Sequence, residues 1–209
     1  MKTLLYQGMM DARNEGAPYA FLSPANVEIY KPFGFEGVYY RKQIEVKGRR
    51  HRWYQAGSFS HLDIQLKERA VEFANAQLYA SEFNAYIYRD VRYYDTLMKE
   101  TKTLGGKVVV LRNEFMIHGV AVLTHEEDRY EVQEMICAPE DAVKVVESLR
   151  HYLGVSEDEP VLFEDGYFLQ DVKGEGVAVR LTEKPYIMAR ALSDDGDAQK
   201  LNWYINDIT

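Results

Sequence analysis

Residues 21–35, Phe-Leu-Ser-Pro-Ala-Asn-Val-Glu-Ile-Tyr-Lys-Pro-Phe-Gly-Phe, carry the side chains whose spacing says most about chemistry. Tyr30 has a phenol that could give up a proton, although spacing alone reads it first as a core tyrosine packed on Phe33. Asn26 stands where a short helix begins, so its amide serves as an N-cap or as a hydrogen-bond partner for a ligand, and both readings stand. Ser23, just before Pro24, has the ordinary chemistry of a turn at a strand end. The histidines His51, His61, His118, His125 and His151 show neither H-E-x-x-H nor H-x-H spacing, and Cys137 has no second cysteine, so no metal site is expected. Arg41, Lys42, Lys47, Arg49, Arg50 and Arg52 could meet a phosphate, but a solvated hairpin is the simpler reading. Tyr86, Tyr88, Tyr93 and Tyr94 could line a pocket for a cation, and core packing is again favoured.

The elements that must position these groups follow from periodicity. Leu4, Leu5, Met9 and Ala12 fall near one side of a helix over 3–15, stopped by Gly16 and Pro18. Tyr19–Leu22 reads as a buried strand, and Val27 to Phe33 as a short helix broken at Pro32 and Gly34. Gly37 to Val46 and Arg52 to Gln55 read as strands paired across Lys47-Gly48-Arg49. A helix from about Asp63 follows, with Ile64, Ala70, Val71, Ala74 and Leu78 at helical spacing, and a second spans Phe83 to Leu104. Lys107 to Arg112, Phe115 to His125 and Tyr130 to Ile136 suggest an antiparallel meander. Pro139-Glu140-Asp141 then opens a helix that ends at Gly154. Beyond Ser156 the chain is β-rich, with strands expected at Val161 to Phe163, Tyr167 to Val172 and Gly176 to Leu181. The class is α/β (α+β).

Composition sets the outer bounds. The chain has 209 residues, 46% of them hydrophobic and 28% charged, with 14 Gly and 6 Pro, so it can bury a core and is not a disordered polymer. A net charge of -8 argues against a whole-protein attraction to nucleic acid or an anionic membrane. One cysteine, no signal-peptide core and no long apolar run lead to the expectation of a soluble, cytoplasmic protein. The chain has no G-x-x-x-x-G-K-S/T, G-x-G-x-x-G or G-x-S-x-G motif, so phosphate-cradling and nucleophile-elbow enzymes lose their usual signatures.

The segment from Phe21 to Phe35 resembles the last third of a GNAT acetyltransferase domain, in which a strand leads to a short helix bearing a tyrosine and closed by an F-G-F or F-G-Y turn. Tyr30, Phe33, Gly34 and Phe35 match that element, and Asn26 sits at the helix start. Met1 to Leu5 resembles the residues after the family's R-x-x-G-x-G/A pyrophosphate loop, and the loop itself is not in the sequence. The order from Phe83 to Leu153 is similar to the second lobe of the larger bacterial members, those like the enhanced-intracellular-survival acetyltransferases. Lys184 to Arg190 and Tyr204 to Thr209 resemble the ending of shorter relatives.

The resemblance implies an acetyl-CoA-dependent N-acetyltransferase that moves an acetyl group directly to a primary amine of a small molecule or peptide, with no metal. It implies Tyr30 as general acid, Ser23, Asn26 and Tyr30 toward the cofactor, and the terminal carboxylate of Thr209 as a candidate base. The domains expected are 1–58, the C-terminal half of a GNAT domain; 59–155, a second GNAT-like lobe; and 156–209, a β-rich segment. The N-terminal strands of the first domain are expected to be missing. The alternative is a catalytically silent GNAT-like fragment acting as an interaction module, a homo-oligomer formed through an exposed sheet edge.

Overall fold

The computed structural model describes residues 2–81, 83–126, 129–182, 184–193 and 196–205. In chain order the elements are α1 (Lys2–Asn14), β1 (Tyr19–Leu22), α2 (Val27–Tyr30), β2 (Glu36–Tyr39), β3 (Lys42–Val46), β4 (Gln55–Ser58), α3 (Ile64–Ala80), β5 (Ala85–Tyr86) and α4 (Val91–Glu100). They continue with β6 (Lys107–Arg112), β7 (Ile117–Glu126), β8 (Arg129–Cys137), α5 (Ala142–Leu153), β9 (Val161–Phe163), β10 (Val177–Leu181), β11 (Ile187–Ala191) and β12 (Trp203–Tyr204). The mixed α/β class is the one expected. Packing divides the chain into two units: the described residues of 2–40, 83–86 and 182–205 form the first, and those of 41–81 and 87–181 the second.

In the first unit β11 lies between β1 and β2, antiparallel to both, with Tyr19 opposite Ala191 and Ala189 opposite Glu36. A strand late in the sequence thereby supplies the backbone partners that two early strands need. Met9, Phe33, Phe35, Met188 and Leu192 make the core, with Leu5, Ala12 and Tyr30 packed against it. Of the apolar face expected for α1, Met9 is buried and Leu4 is 78% exposed. β12 runs parallel to β5, pinned by Asn202 N donating to Asn84 Oδ1 at 2.7 Å.

In the second unit seven strands run in the order β10-β3-β9-β8-β7-β6-β4; β8 and β9 are parallel and the remaining neighbours antiparallel. The meander β6-β7-β8 is as expected, its β-branched residues buried on the sheet. Asp63 caps α3 through Leu66 N at 2.8 Å, Asp90 caps α4 through Tyr93 N at 2.6 Å, and Gly154 ends α5 with φ 72°. Two arginines are wholly buried. Arg89 pairs with Glu134, while Arg150 donates only to carbonyls, including Val46 O at 2.6 Å, Ser156 O at 2.7 Å and Glu159 O at 3.0 Å.

Several expectations need correction. The stretch Gly37 to Val46 is two strands in different sheets, and β4 pairs with β6 rather than with β3 across Lys47-Gly48-Arg49. Helix α4 begins only at Val91, because the strand β5 occupies Ala85–Tyr86. Tyr167–Leu169 is a 3-10 turn and not a strand. The divisions 1–58, 59–155 and 156–209 are not those of the packing: β3 and β4 enter the second unit's sheet, β9 and β10 join them there, and β11 and β12 return to the first unit. Hydrogen-bond partners far along the chain decide membership, and composition shifts at Ser58 and Ser156 do not report them.

Candidate active site

The turn between β1 and β2 is built by local rules. Pro24 ends β1, and Asn26, in extended backbone at φ -145° and ψ 117°, accepts from Glu28 N at 3.0 Å to start α2. Pro32 tightens the chain into a 3-10 turn over Lys31–Phe33, and Gly34 closes it at φ 75°, its N donating to Lys31 O at 2.9 Å. That reversal sends Phe33 and Phe35 into the core and leaves Tyr30 half-buried, its ring centroid 6.3 Å from that of Phe35 in an edge arrangement. The Tyr30 hydroxyl makes no hydrogen bond to another described residue. Arg190 of β11 ties the turn down, donating to Phe33 O and approaching Met9 Sδ at 3.8 Å. At the other end of the turn's scaffold, Tyr6 of α1 meets Phe33 edge-on at 6.1 Å.

A cleft of about 810 Å³ opens beside this turn. Asn26, Glu28, Lys31, Glu36, Tyr40 and Lys184 supply its polar lining, and Phe35, Pro185 and Met188 part of its apolar wall. Two carboxylates and two ammonium groups leave it near charge balance, and Glu28 already pairs with Lys31 at 2.5 Å. Of the residues singled out from the sequence, Asn26 lines the cleft. Ser23 is exposed at the end of β1, and Tyr30 leans on the core next to the cleft; neither is among its lining residues. Thr209 lies outside the described residues. Trp203, near the end of the described chain, meets Tyr19 at 5.8 Å and Phe21 at 6.2 Å, so this segment lies on β1. Arg190, Lys184 and Tyr40 were missed as site residues; the run Lys184 to Arg190 held the signal, but only strand pairing brings it to the turn.

The other candidates disperse. Tyr86 belongs to the first unit and Tyr94 to the core of the second, where it packs on Phe59 at 5.3 Å; Tyr88 is 73% exposed. The cation facing Tyr93 is the protein's own Arg89, at 5.5 Å. From the basic run, Arg50 donates to Gly154 O at 3.3 Å and Val155 O at 3.1 Å, a structural use. Among the described residues no group of three potential metal ligands comes together.

A polar cluster in the second unit escaped the sequence reading. Tyr54 donates to Asp141 Oδ1 at 2.7 Å, His118 Nδ1 meets Asp141 Oδ2 at 2.6 Å, and the Tyr54 and His118 rings stack 4.0 Å apart. Asn113 Oδ1 accepts from Phe115 N and Met116 N, so its Nδ2 must donate to His118 Nε2, at 2.9 Å. The ring is thereby held with its proton on Nδ1, and both nitrogens are engaged, which leaves none for a substrate. Burial raises the Asp141 carboxyl, but the hydrogen bonds from Tyr54 and His118 and the nearby cationic charge outweigh it and hold the group below its ordinary value of 3.8. Burial and the Asp141 bond push the Tyr54 phenol well above its ordinary value. Burial, with Asp141 and Glu140 nearby, pushes the Cys137 thiol up to about 12.

The fold is that of the GCN5-related N-acetyltransferases. The chain is similar to such a protein from Anabaena variabilis, with a TM-score of 0.66 and 14% identity over 91% of this chain and 50% of that one. It is similar to a conserved protein of Enterococcus faecalis, with a TM-score of 0.64 and 16% identity over 91% and 49% of the two chains. Eis1 of Mycobacterium abscessus matches with a TM-score of 0.59 and 12% identity over 91% and 51%. The chain thus spans about half the length of each of these three structures. No family model and no curated protein matches the sequence.

Proposed function

We propose that the first unit carries the cosubstrate-facing turn of an acetyl-CoA-dependent N-acetyltransferase that transfers its acetyl group directly to a primary amine of a small molecule or peptide. The observation that carries this reading is the order strand, Asn26-capped helix, Tyr30 and F-G-F turn, set in a sheet of the acetyltransferase fold. The residues present fit the thioester end of acetyl-CoA. Asn26 spends its carbonyl oxygen on Glu28 N, which leaves its amide N–H groups for an amide carbonyl of the pantetheine arm. The first turn of α1 holds no acidic residue, which suits a phosphate at a helix N-terminus, although no R-x-x-G-x-G/A loop precedes it in this sequence. Ser23 stands exposed at the end of β1 as a further hydroxyl for the same arm.

Acetyl-CoA supplies an activated acetyl group. Tyr30 holds a proton at its hydroxyl oxygen for the departing thiolate, its ring fixed by Phe35. The Thr209 carboxylate takes the proton that an ammonium substrate must lose before attack, a role that rests on the resemblance of the Tyr204 to Thr209 segment to the ending of shorter relatives. Free-thiol release from acetyl-CoA with a panel of primary amines tests the activity. Deleting residues 207–209 should abolish release and leave the fold intact; retained release dismisses the base role.

One observation favours a second reading, a silent interaction module. Among the described residues β1 pairs with β11 alone, and Phe21 on this strand is 51% exposed, so a partner chain could add to that edge. Sedimentation that shows a stable monomer with amine-dependent thiol release rejects this reading.

A further inference from the structure

A second cleft of about 810 Å³ lies wholly within the second unit, between the outer strand β4 and the end of α4. Its lining includes Lys99, Lys102, Lys107 and His61, the hydroxyls of Ser58 and Ser60, and the side chains of Met98 and Tyr152. Among the described residues the only carboxylate in the lining, Asp95, is held by Lys67 at 3.2 Å. No carboxylate among the described residues bridges Lys99 or Lys102, and Lys107 rests its ammonium over the Tyr130 ring at 5.6 Å. Three lysines therefore line one cleft with little counter-charge, Lys107 with its ammonium resting on Tyr130 at the margin, in a protein whose net charge is -8.

The remaining polar groups favour an anion as well. Of the carbonyls around the end of α4 that would repel one, Leu97 O accepts from Thr101 Oγ1 at 2.8 Å, Thr101 O from Gly106 N at 2.9 Å and Lys102 O from Gly105 N at 3.2 Å. Among the described residues β4 is an edge strand with β6 as its sole neighbour, so amides on its outer side are donors without a strand partner there. Open space surrounds Gly57, where a Cβ would meet nothing within 4 Å. Tyr152, 37% exposed, offers a ring face to an apolar or aromatic body.

From these features we infer that this cleft binds a phosphate-bearing small molecule: Lys99, Lys102 and Lys107 hold its phosphates, whichever of the paired Ser58 and Ser60 hydroxyls (Oγ to Oγ 2.8 Å) does not donate to the other donates to them, and Met98 and Tyr152 cover its apolar part. The site is independent of the acetyltransferase reading, since it uses none of the first unit's residues.

The test is titration of the full chain with pyrophosphate, adenosine diphosphate and adenosine, followed by calorimetry and by the amide resonances of Gly57, Ser58, Ser60 and Gly106. We expect saturable binding of both phosphate compounds, weakened by salt, with shifts centred on those four amides. Diphosphate bound more tightly as the nucleotide than as pyrophosphate would assign a role to Tyr152. The double variant Lys99→Glu, Lys102→Glu should weaken binding about tenfold or more with the thermal midpoint unchanged. If the double variant does not fold, Lys102→Gln and Lys107→Gln singly should each weaken it several-fold. No saturable binding, binding indifferent to these changes, shifts elsewhere, or adenosine binding as well as its diphosphate would overturn the inference.

Discussion

At the scale of single residues, the cluster of Tyr54, His118 and Asp141 makes the firmest claims. The Asp141 carboxyl sits below 3.8 in the folded protein, so its ionised form adds stability at pH values above the unfolded carboxyl's range. That contribution should disappear as pH falls below about 3.8 through the folded value, a window that urea titrations at descending pH would reveal. Asp141→Asn should cost about 1–2 kcal/mol at neutral pH, since it weakens two hydrogen bonds made to a charged, half-buried acceptor. An equal cost at pH 3 would refute this account. Cys137, fully buried with its thiol pushed up to about 12, should resist alkylation by iodoacetamide at pH 8 until the protein is unfolded. Rapid labelling of the native protein would contradict the placement. A buried thiol is the default reading of a lone cysteine, but the polar cluster was not legible in the sequence, where Tyr54, His118 and Asp141 stand far apart and no short motif joins them. Asn26 and the F-G-F turn were legible because a cap and a left-handed glycine are local chemistry.

The elements tell a similar story of near and far. The helix capped by Asp63 and the meander β6-β7-β8 came directly from spacing, because their bonds close within or between adjacent segments, whereas α4 was expected from Phe83 and starts only after the Asp90 cap. The strand β11 could be suspected from its apolar run, but its position between β1 and β2 could not, since pairing partners so distant leave no periodic trace. Arg150 is the clearest element-scale device: from α5 it donates to carbonyls of the β3 end and of the 156–159 loop, satisfying the buried Val46 O and tying the loop to the guanidinium. Arg150→Met should therefore cost about 3 kcal/mol, read from the denaturant midpoint, and loosen the loop in hydrogen exchange. A loss below about 0.5 kcal/mol, the range of an ordinary surface change, would show that the clamp carries little.

For the whole molecule, the two units have separate cores, one around Met9, Phe35 and Met188 and one on the seven-stranded sheet. Met188→Asp, which places a charge at a position 1% exposed, should remove hydrogen-exchange protection from β1, β2 and β11 while β6-β7-β8 keep theirs. Simultaneous loss in both would mean a single cooperative fold. The functional claim rests on the first unit, and one measurement reaches it most directly: calorimetric titration of the chain with acetyl-CoA, paired with thiol release, for the wild type and for Tyr30→Phe. The account predicts micromolar binding, about -8 kcal/mol, in both proteins and amine-dependent release only in the wild type. Absence of binding, or release undiminished by Tyr30→Phe, would contradict it.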